Sequence, residues 1–305
     1  MTLALAIDLG GTKIEAALID ATGVIVDGSR HRTPTGEAAA AEVTVLERAL
    51  AEVIEQCRAH PRWPEVTAAG IGAAGPIDVA AGTIAPINLP AARGFDIVAA
   101  VRSASGLSDV TLRLDGTCIA LAESWLGAAR GVRNAIVFVV STGVGGGIVS
   151  DGRLVTGGSG NAGHLGQMLV ADIDGDAAAS TLEQRASGPH TVRWAQAQGW
   201  PGATGEELAA AYRDGDALAA AAVARSAHAV GVGLASAATL LDLELAVVGG
   251  GFSFVADDYP ERIEEVVRAV AINGYAARLR VVRAGLGGDA PLIGAAALVH
   301  RSEVL

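Results

Sequence analysis

Asp8-Leu9-Gly10-Gly11-Thr12-Lys13 follows a short apolar run, and its residue types suit phosphate chemistry. Glycines let the backbone come close to a phosphate, the Thr12 hydroxyl can donate, and successive main-chain N–H groups form an anion nest. Asp8 offers the hard oxygen atoms that magnesium prefers, directly or through water. For one loop, a tight hairpin turn that merely needs glycine is the simpler explanation. A second loop, Ser141-Thr142-Gly143-Val144-Gly145-Gly146-Gly147, and the triplet Gly249-Gly250-Gly251 shift the balance. Three glycine turns after buried strands fit a nucleotide clamp. The candidate nucleotide-binding residues are therefore Asp8, Gly10, Gly11, Thr12, Lys13, Thr142, Gly143, Gly145 and Gly250.

Two rival glycine motifs fail on context. Gly70-Ile71-Gly72-Ala73-Ala74-Gly75 spells a dinucleotide fingerprint, but Pro76 follows where a helix would have to start. A P-loop needs lysine before a hydroxyl residue, and the sole lysine, Lys13, comes after Thr12. Asp115 ends a strand-like run, Val110–Leu114, and precedes a helix-like one. It reads as a helix cap or as a general base. Glu183 opens another helix, where a carboxylate also suits the macrodipole. His164 lies in a glycine-rich segment, which argues against a packed core histidine.

The elements that must position these residues follow from pattern. Strands are expected over Leu3–Asp8, Ile14–Ile19 and Val24–Asp27, a helix over Glu37–His60, and a strand over Val66–Ile71. A helix over Phe95–Ser105, the strand Val110–Leu114 and a helix over Thr117–Arg130 follow. Near residue 135 the opening pattern returns: strand Ala135–Val140, glycine turn, strand Ile148–Ser150. Two such hairpins suggest a duplicated core. Helices are then expected over Leu182–Ala197, Glu206–Asp214 and Ala217–Leu241, with strands Leu245–Val248 and Arg278–Arg283 and helices near Asp258–Ala271 and Pro291–His300. Strands alternating with helices predict an α/β fold.

Composition narrows the function classes. The 305 residues are 51% apolar but only 4% aromatic, so the core rests on Val, Leu, Ile and Ala. Charged residues number 22 basic against 33 acidic, a net charge of −11, with no basic cluster. Nucleic acid and anionic membranes are poor partners for such a surface. Cys57 and Cys118 are isolated, which leaves no disulfide framework and no thiolate metal cage. The opening MTLALAIDLGG lacks a basic flank, so a cytoplasmic protein is expected.

Asp8–Lys13, Gly70–Pro76, Ser141–Gly147, Gly163–Gly166 and Leu182-Glu183 with Ala186-Ser187-Gly188 together resemble the ROK family of sugar kinases and repressors. The resemblance runs from residue 5 to about 300. It implies a two-lobed actin-like, ribonuclease-H-like ATPase fold with a cleft between duplicated domains. One lobe would hold residues 1–115 with a C-terminal helix at about 290–305, the other residues 116–289. It also implies ATP and magnesium as cofactors, transfer of phosphate to a sugar hydroxyl, commonly on C6, and a homodimer. Repressors of the family carry a winged helix-turn-helix before the first glycine motif; here that motif begins at residue 8, so the kinase branch is expected.

By the same resemblance Asp115 is the catalytic base, while Gly75, Asn88, His164 and Glu183 contact the sugar. His164 matches the branch of bacterial N-acetylmannosamine kinases. The sequence departs from the family at three places. Leu114 replaces a sugar-contacting Asn, Gln167 replaces a zinc-ligating His, and Asp172–Thr181 contains no Cys. No zinc is expected. The altered shell leaves N-acetylmannosamine, another hexose or a cyclitol as the acceptor, or a silent sugar-binding regulator of kinase ancestry.

Overall fold

The structure, a computed structural model, describes residues 2–35, 38–171 and 176–305. By its contacts the chain divides into two compact units. The first comprises Met1–Leu126, Arg153–Ala162 and Gly288–Leu305; the second comprises Gly127–Gly152 and Gly163–Gly287.

In the first unit the strand Leu3–Leu9 is buried along its whole length because it lies at the centre of a five-stranded sheet. It pairs antiparallel with Lys13–Asp20, which pairs antiparallel with His31–Pro34. On its other side it runs parallel to Val66–Ala73, and that strand runs parallel to Val110–Leu114. Helices Val43–Arg58 and Ile97–Ser105 cover one face, burying Leu46, Leu50, Ile54, Ile97 and Val101 against Leu5, Ile7 and Ile71. Helices Asp115–Trp125 and Ala290–His300 cover the other, over Ala4, Ala6 and Ala17.

Small residues bring that second layer close. A Cβ on Gly70 would fall 1.8 Å from the Ala295 carbonyl oxygen, and one on Gly294 would fall 1.7 Å from that of Cys118. Gly70 and Gly72 of the G-x-G-x-x-G run are thus packing glycines inside a strand. Helix Asp115–Trp125 consequently stays with the first unit, past the boundary expected at residue 115.

The second unit repeats the plan. Ala135–Val140 pairs antiparallel with Val144–Ser150 and parallel with Leu245–Gly249, which runs parallel to Arg280–Arg283. Helix Ala217–Leu241 is the core helix, with Val223, Val230 and Leu234 buried against Tyr259, Ile263 and Val267.

Several expected elements shift. Val24–Asp27 forms only an isolated bridge, Ile19 to Ile25, and the third strand is His31–Pro34. The Asp20 carboxylate causes this by holding the Thr22 and Val24 amides at 2.9 and 3.1 Å. The helix expected over Glu37–His60 is two pieces, Ala38–Ala41 and Val43–Arg58, and Glu37 itself lies outside the described residues. The helix expected over Thr117–Arg130 runs instead over Asp115–Trp125. That expected over Leu182–Ala197 breaks at Ser187, which is extended at ψ 153. Gly145, Gly146 and Gly147 belong to the strand Val144–Ser150, not to the turn before it.

Candidate functional site

The register of the first sheet decides which side chains meet. Asp8 lies opposite Gly72, and Gly72 opposite Arg113; one step on, Leu9, Ala73 and Leu114 are in line. The parallel strands therefore end together, where open α/β sheets bind their ligands. Asp115 is the next residue after that line and the first of its helix, so Leu114 and not Asp115 occupies the cap position. Its carboxylate accepts the Gly116 amide at 2.6 Å. A Cβ on Gly72 would come to 3.0 Å from the Cys118 Sγ, so this glycine lets the Asp115 helix pack close on the strand.

Both carboxyls hold protons more tightly than usual. Burial, then the neighbouring Asp115 charge, pushes Asp8 up to about 7, while Lys13 pulls it down. Burial pushes Asp115 up to about 6 against the help of its backbone hydrogen bonds. Two desolvated carboxylates at one strand rim form an electronegative, oxygen-only site. That donor set fits a hard divalent cation such as magnesium, which would relieve the repulsion.

Lys13 does not stand free beside them. Its ammonium pairs with Glu15 at 2.6 Å, Glu15 also accepts Arg30 Nε at 2.5 Å, and Arg30 reaches Asp289 at 2.5 Å. These two cations hold the Glu15 carboxyl below its ordinary range despite its burial. Gly10 donates to the Lys13 carbonyl at 3.0 Å, closing the tight turn, and Thr12 is exposed. Asn88 lies on this turn, because a Cβ on Gly11 would be 1.9 Å from its Nδ2. Gly75 is part-exposed just beyond the strand Val66–Ala73. Leu114 is 2% exposed and packs in the core.

In the second unit Glu183 and His164 come together on the strand Val144–Ser150. The Val144 amide donates to Glu183 Oε2 at 2.9 Å. The Gly163–Gly166 segment lies flat on the same strand: Cβ atoms on Gly163 and Gly166 would fall 2.3 Å from the Gly146 oxygen and 2.2 Å from the Val144 oxygen. Burial lowers the His164 pKa and Glu183 raises it. Its Nε2 is buried without a partner among the described residues, so a hydroxyl group would satisfy it. Gln167 is exposed. Among the described residues no three His, Cys, Asp or Glu side chains converge as metal ligands. Residues 172–175, part of the Cys-free segment, lie outside the described residues.

A cavity of about 510 Å³ in this unit collects Ser141, Thr142 and the N-terminal ends of helices Gly188–Ala197 and Gly205–Arg213. Helix N-termini and hydroxyls suit phosphate groups. Of the expected nucleotide residues in this unit only Thr142 lines it. A Cβ on Gly250 would meet the Val140 oxygen at 2.6 Å, at φ +86, so that glycine serves the chain turn. Arg193, Gln196, Phe252 and Phe254 line the cavity without having been singled out in the sequence. The one legible signal was Thr204-Gly205-Glu206-Glu207, which forms a capping box.

The family model described as the ROK family matches residues 4–302. The chain is 33% identical to an N-acetylmannosamine kinase of Shigella boydii serotype 18, over 98% of this chain and 99% of that protein. It is 31% identical to a glucokinase of Streptomyces coelicolor over 99% of both. The crystal structure of a ROK hexokinase from Thermus thermophilus matches with a TM-score of 0.82 and 33% identity, covering 99% of this chain and 100% of that one. A ROK family glucokinase from Streptomyces griseus, in complex with glucose and AMPPNP, matches with a TM-score of 0.81 and 30% identity, over 97% and 98%.

Proposed function

The chain belongs to the ROK family and has its actin-like α/β fold, and from that premise we propose that it is an ATP-dependent sugar kinase. The observation that carries the proposal is the juxtaposition of Asp8 and Asp115 at one strand rim, both with raised proton affinity. Asp115 accepts the proton of the sugar hydroxyl, usually that on C6. The hydroxyl oxygen bonds to the γ-phosphorus as the bond to the β–γ bridging oxygen breaks, releasing ADP. A base with a pKa near 6 is ionised at neutral pH yet still basic enough to take that proton.

Asp8 would hold magnesium, directly or through water; the ion supplies charge neutralisation to the donor's phosphates when bound. Thr142 and the helix N-termini around the second-unit cavity are proposed to hold the donor nucleotide. His164 and Glu183 are proposed to bind sugar hydroxyls, with Gly75 and Asn88 as further contacts. The kinases to which the chain is similar make N-acetylmannosamine and glucose the first acceptors to test. A leucine at 114 and a glutamine at 167, where the resemblance implies Asn and His, favour a second reading, a different sugar or a cyclitol. A cytoplasmic homodimer completes the proposal, with sedimentation as its check.

The deciding experiment is sugar-dependent ADP release across N-acetylmannosamine, N-acetylglucosamine, glucose, mannose, allose and several cyclitols, with Asp115→Asn as control. Turnover with one compound that vanishes in the variant supports the kinase and names the acceptor. Absence of turnover while sugars or ATP still bind would leave a silent regulator.

A further inference from the structure

Arg113 lies two residues before Asp115 on the strand Val110–Leu114, at the edge of the first unit's sheet. Val110, Leu112 and Leu114 enter the core, so Thr111 and Arg113 take the opposite face. The guanidinium is part-buried. Nη1 donates to the Leu112 carbonyl at 2.8 Å, while Nε is buried and has no acceptor among the described residues. Burial lowers its pKa against the neighbouring Cys118 side chain, and among the described residues no carboxylate pairs with it.

Two cavities of about 390 and 510 Å³ share Val79, Ala80 and Arg113 in their walls. Asp78 and Asp96 also line them, each with one carboxylate oxygen on a backbone amide, and among the described residues neither forms an ion pair with Arg113. Asp78 accepts the Ala81 amide at 3.0 Å, and Asp96 accepts the Ala99 amide at 2.8 Å. The larger cavity adds the Thr156 and Ser159 residues and a glycine-rich loop. A Cβ on Gly158 would meet nothing within 4 Å, so the loop backbone is open there. Asn161 fixes this loop to the strand Ile77–Asp78, accepting the Ile77 amide at 2.9 Å and donating to its carbonyl at 2.7 Å.

A guanidinium stays charged at any physiological pH and carries five donors in a fixed fork. Desolvating it without a counter-charge is costly, and a buried N–H without an acceptor adds to that cost. An oxyanion meets both demands, because carboxylate and phosphate oxygens match the fork. We propose that Arg113, with Thr156 and Ser159, forms a binding site for a small oxyanion, the phosphate or carboxylate group of a metabolite. Asp115 lines neither cavity, so the site is distinct from the acceptor base.

The test is isothermal titration of the full chain with inorganic phosphate, glycerol 3-phosphate and malate, the last two separating a phosphate from a carboxylate source without a sugar ring that the acceptor site would bind. Saturating ADP is kept present to occupy the donor cavity. Wild type should bind at least one probe about tenfold more tightly than Arg113→Gln, with Arg113→Lys between them and Thr156→Val several-fold weaker. Equal affinity in wild type and Arg113→Gln, or no binding tighter than about 10 mM by any probe, overturns the proposal. If Arg113→Gln does not fold, the Lys and Thr156→Val variants decide by the same comparison. No readout needs turnover, so this result is independent of the kinase assignment.

Discussion

Glu183 Oε2 occupies the space where a Gly143 side chain would begin: a Cβ on Gly143 would lie 2.6 Å from it. The same oxygen accepts the Val144 amide at 2.9 Å, so the glycine loop sets the position of the carboxylate. Gly143→Ala should therefore push the carboxylate aside. The clash is with the end of a flexible side chain, so the fold tolerates it and the melting temperature stays within a few degrees. The sugar KM should rise about tenfold or more, as expected for a lost charged hydrogen bond. An unchanged KM would remove Glu183 from the proposed sugar contacts.

Asp115→Asn keeps the shape of the side chain and an oxygen for the Gly116 amide, but removes the base. Loss of kcat by roughly 10²–10⁴-fold with sugar binding retained is expected. In wild type, kcat/KM should fall about tenfold per pH unit below about 6, where Asp115 takes up its proton. Stopped assays from acid to neutral pH check both, and a wild-type profile flat through that range would contradict the role.

The same carboxyl links stability to pH. Folded Asp115 binds its proton up to about pH 6, whereas in an unfolded chain it loses it near 3.8. Between these values the unfolded state binds fewer protons, so this group's contribution to stability falls as pH rises and levels off above about 6. Asp115→Asn escapes the penalty. Its stability relative to wild type should therefore rise from acid to neutral pH, by an amount on the order of 1–3 kcal/mol. Urea melts of both proteins at about pH 4 and pH 7 measure the difference.

Arg283 fastens one wall of the second-unit cavity. It stacks 4.7 Å from the Phe254 ring centroid and donates to the carbonyls of Ser253 at 2.8 Å and Asp257 at 3.0 Å. Arg283→Ala should loosen the segment Gly251–Phe254, raise the KM for ATP several-fold and leave the sugar KM unchanged. Equal effects on both substrates would argue against assigning this cavity to the donor.

The α/β class and the repeated hairpin were legible in the sequence, and so were Asp8, Asp115, His164 and Glu183 as candidates for the site. Buried strands announce themselves as short apolar runs, and a motif keeps its residue types wherever the chain carries it. What sequence leaves open is which neighbours share a space. Pairing register, a long-range property, put Asp8 and Asp115 at one rim, and its effect on their proton affinity depends on burial that no local pattern encodes. The same holds for the glycines. The glycine loops after buried strands suggested phosphate nests at Gly145 and Gly250, whereas the fold places Gly145 in a strand and Gly250 at a close turn. Leu114 reads from the sequence as a change at the sugar site, and only the strand's alternation shows that its side chain packs in the core. Arg193, Phe252 and Phe254 became cavity walls only through packing of distant segments. Residue type is local information and fixes what chemistry is available; proximity and desolvation, which decide where that chemistry happens, arise only when the chain has folded.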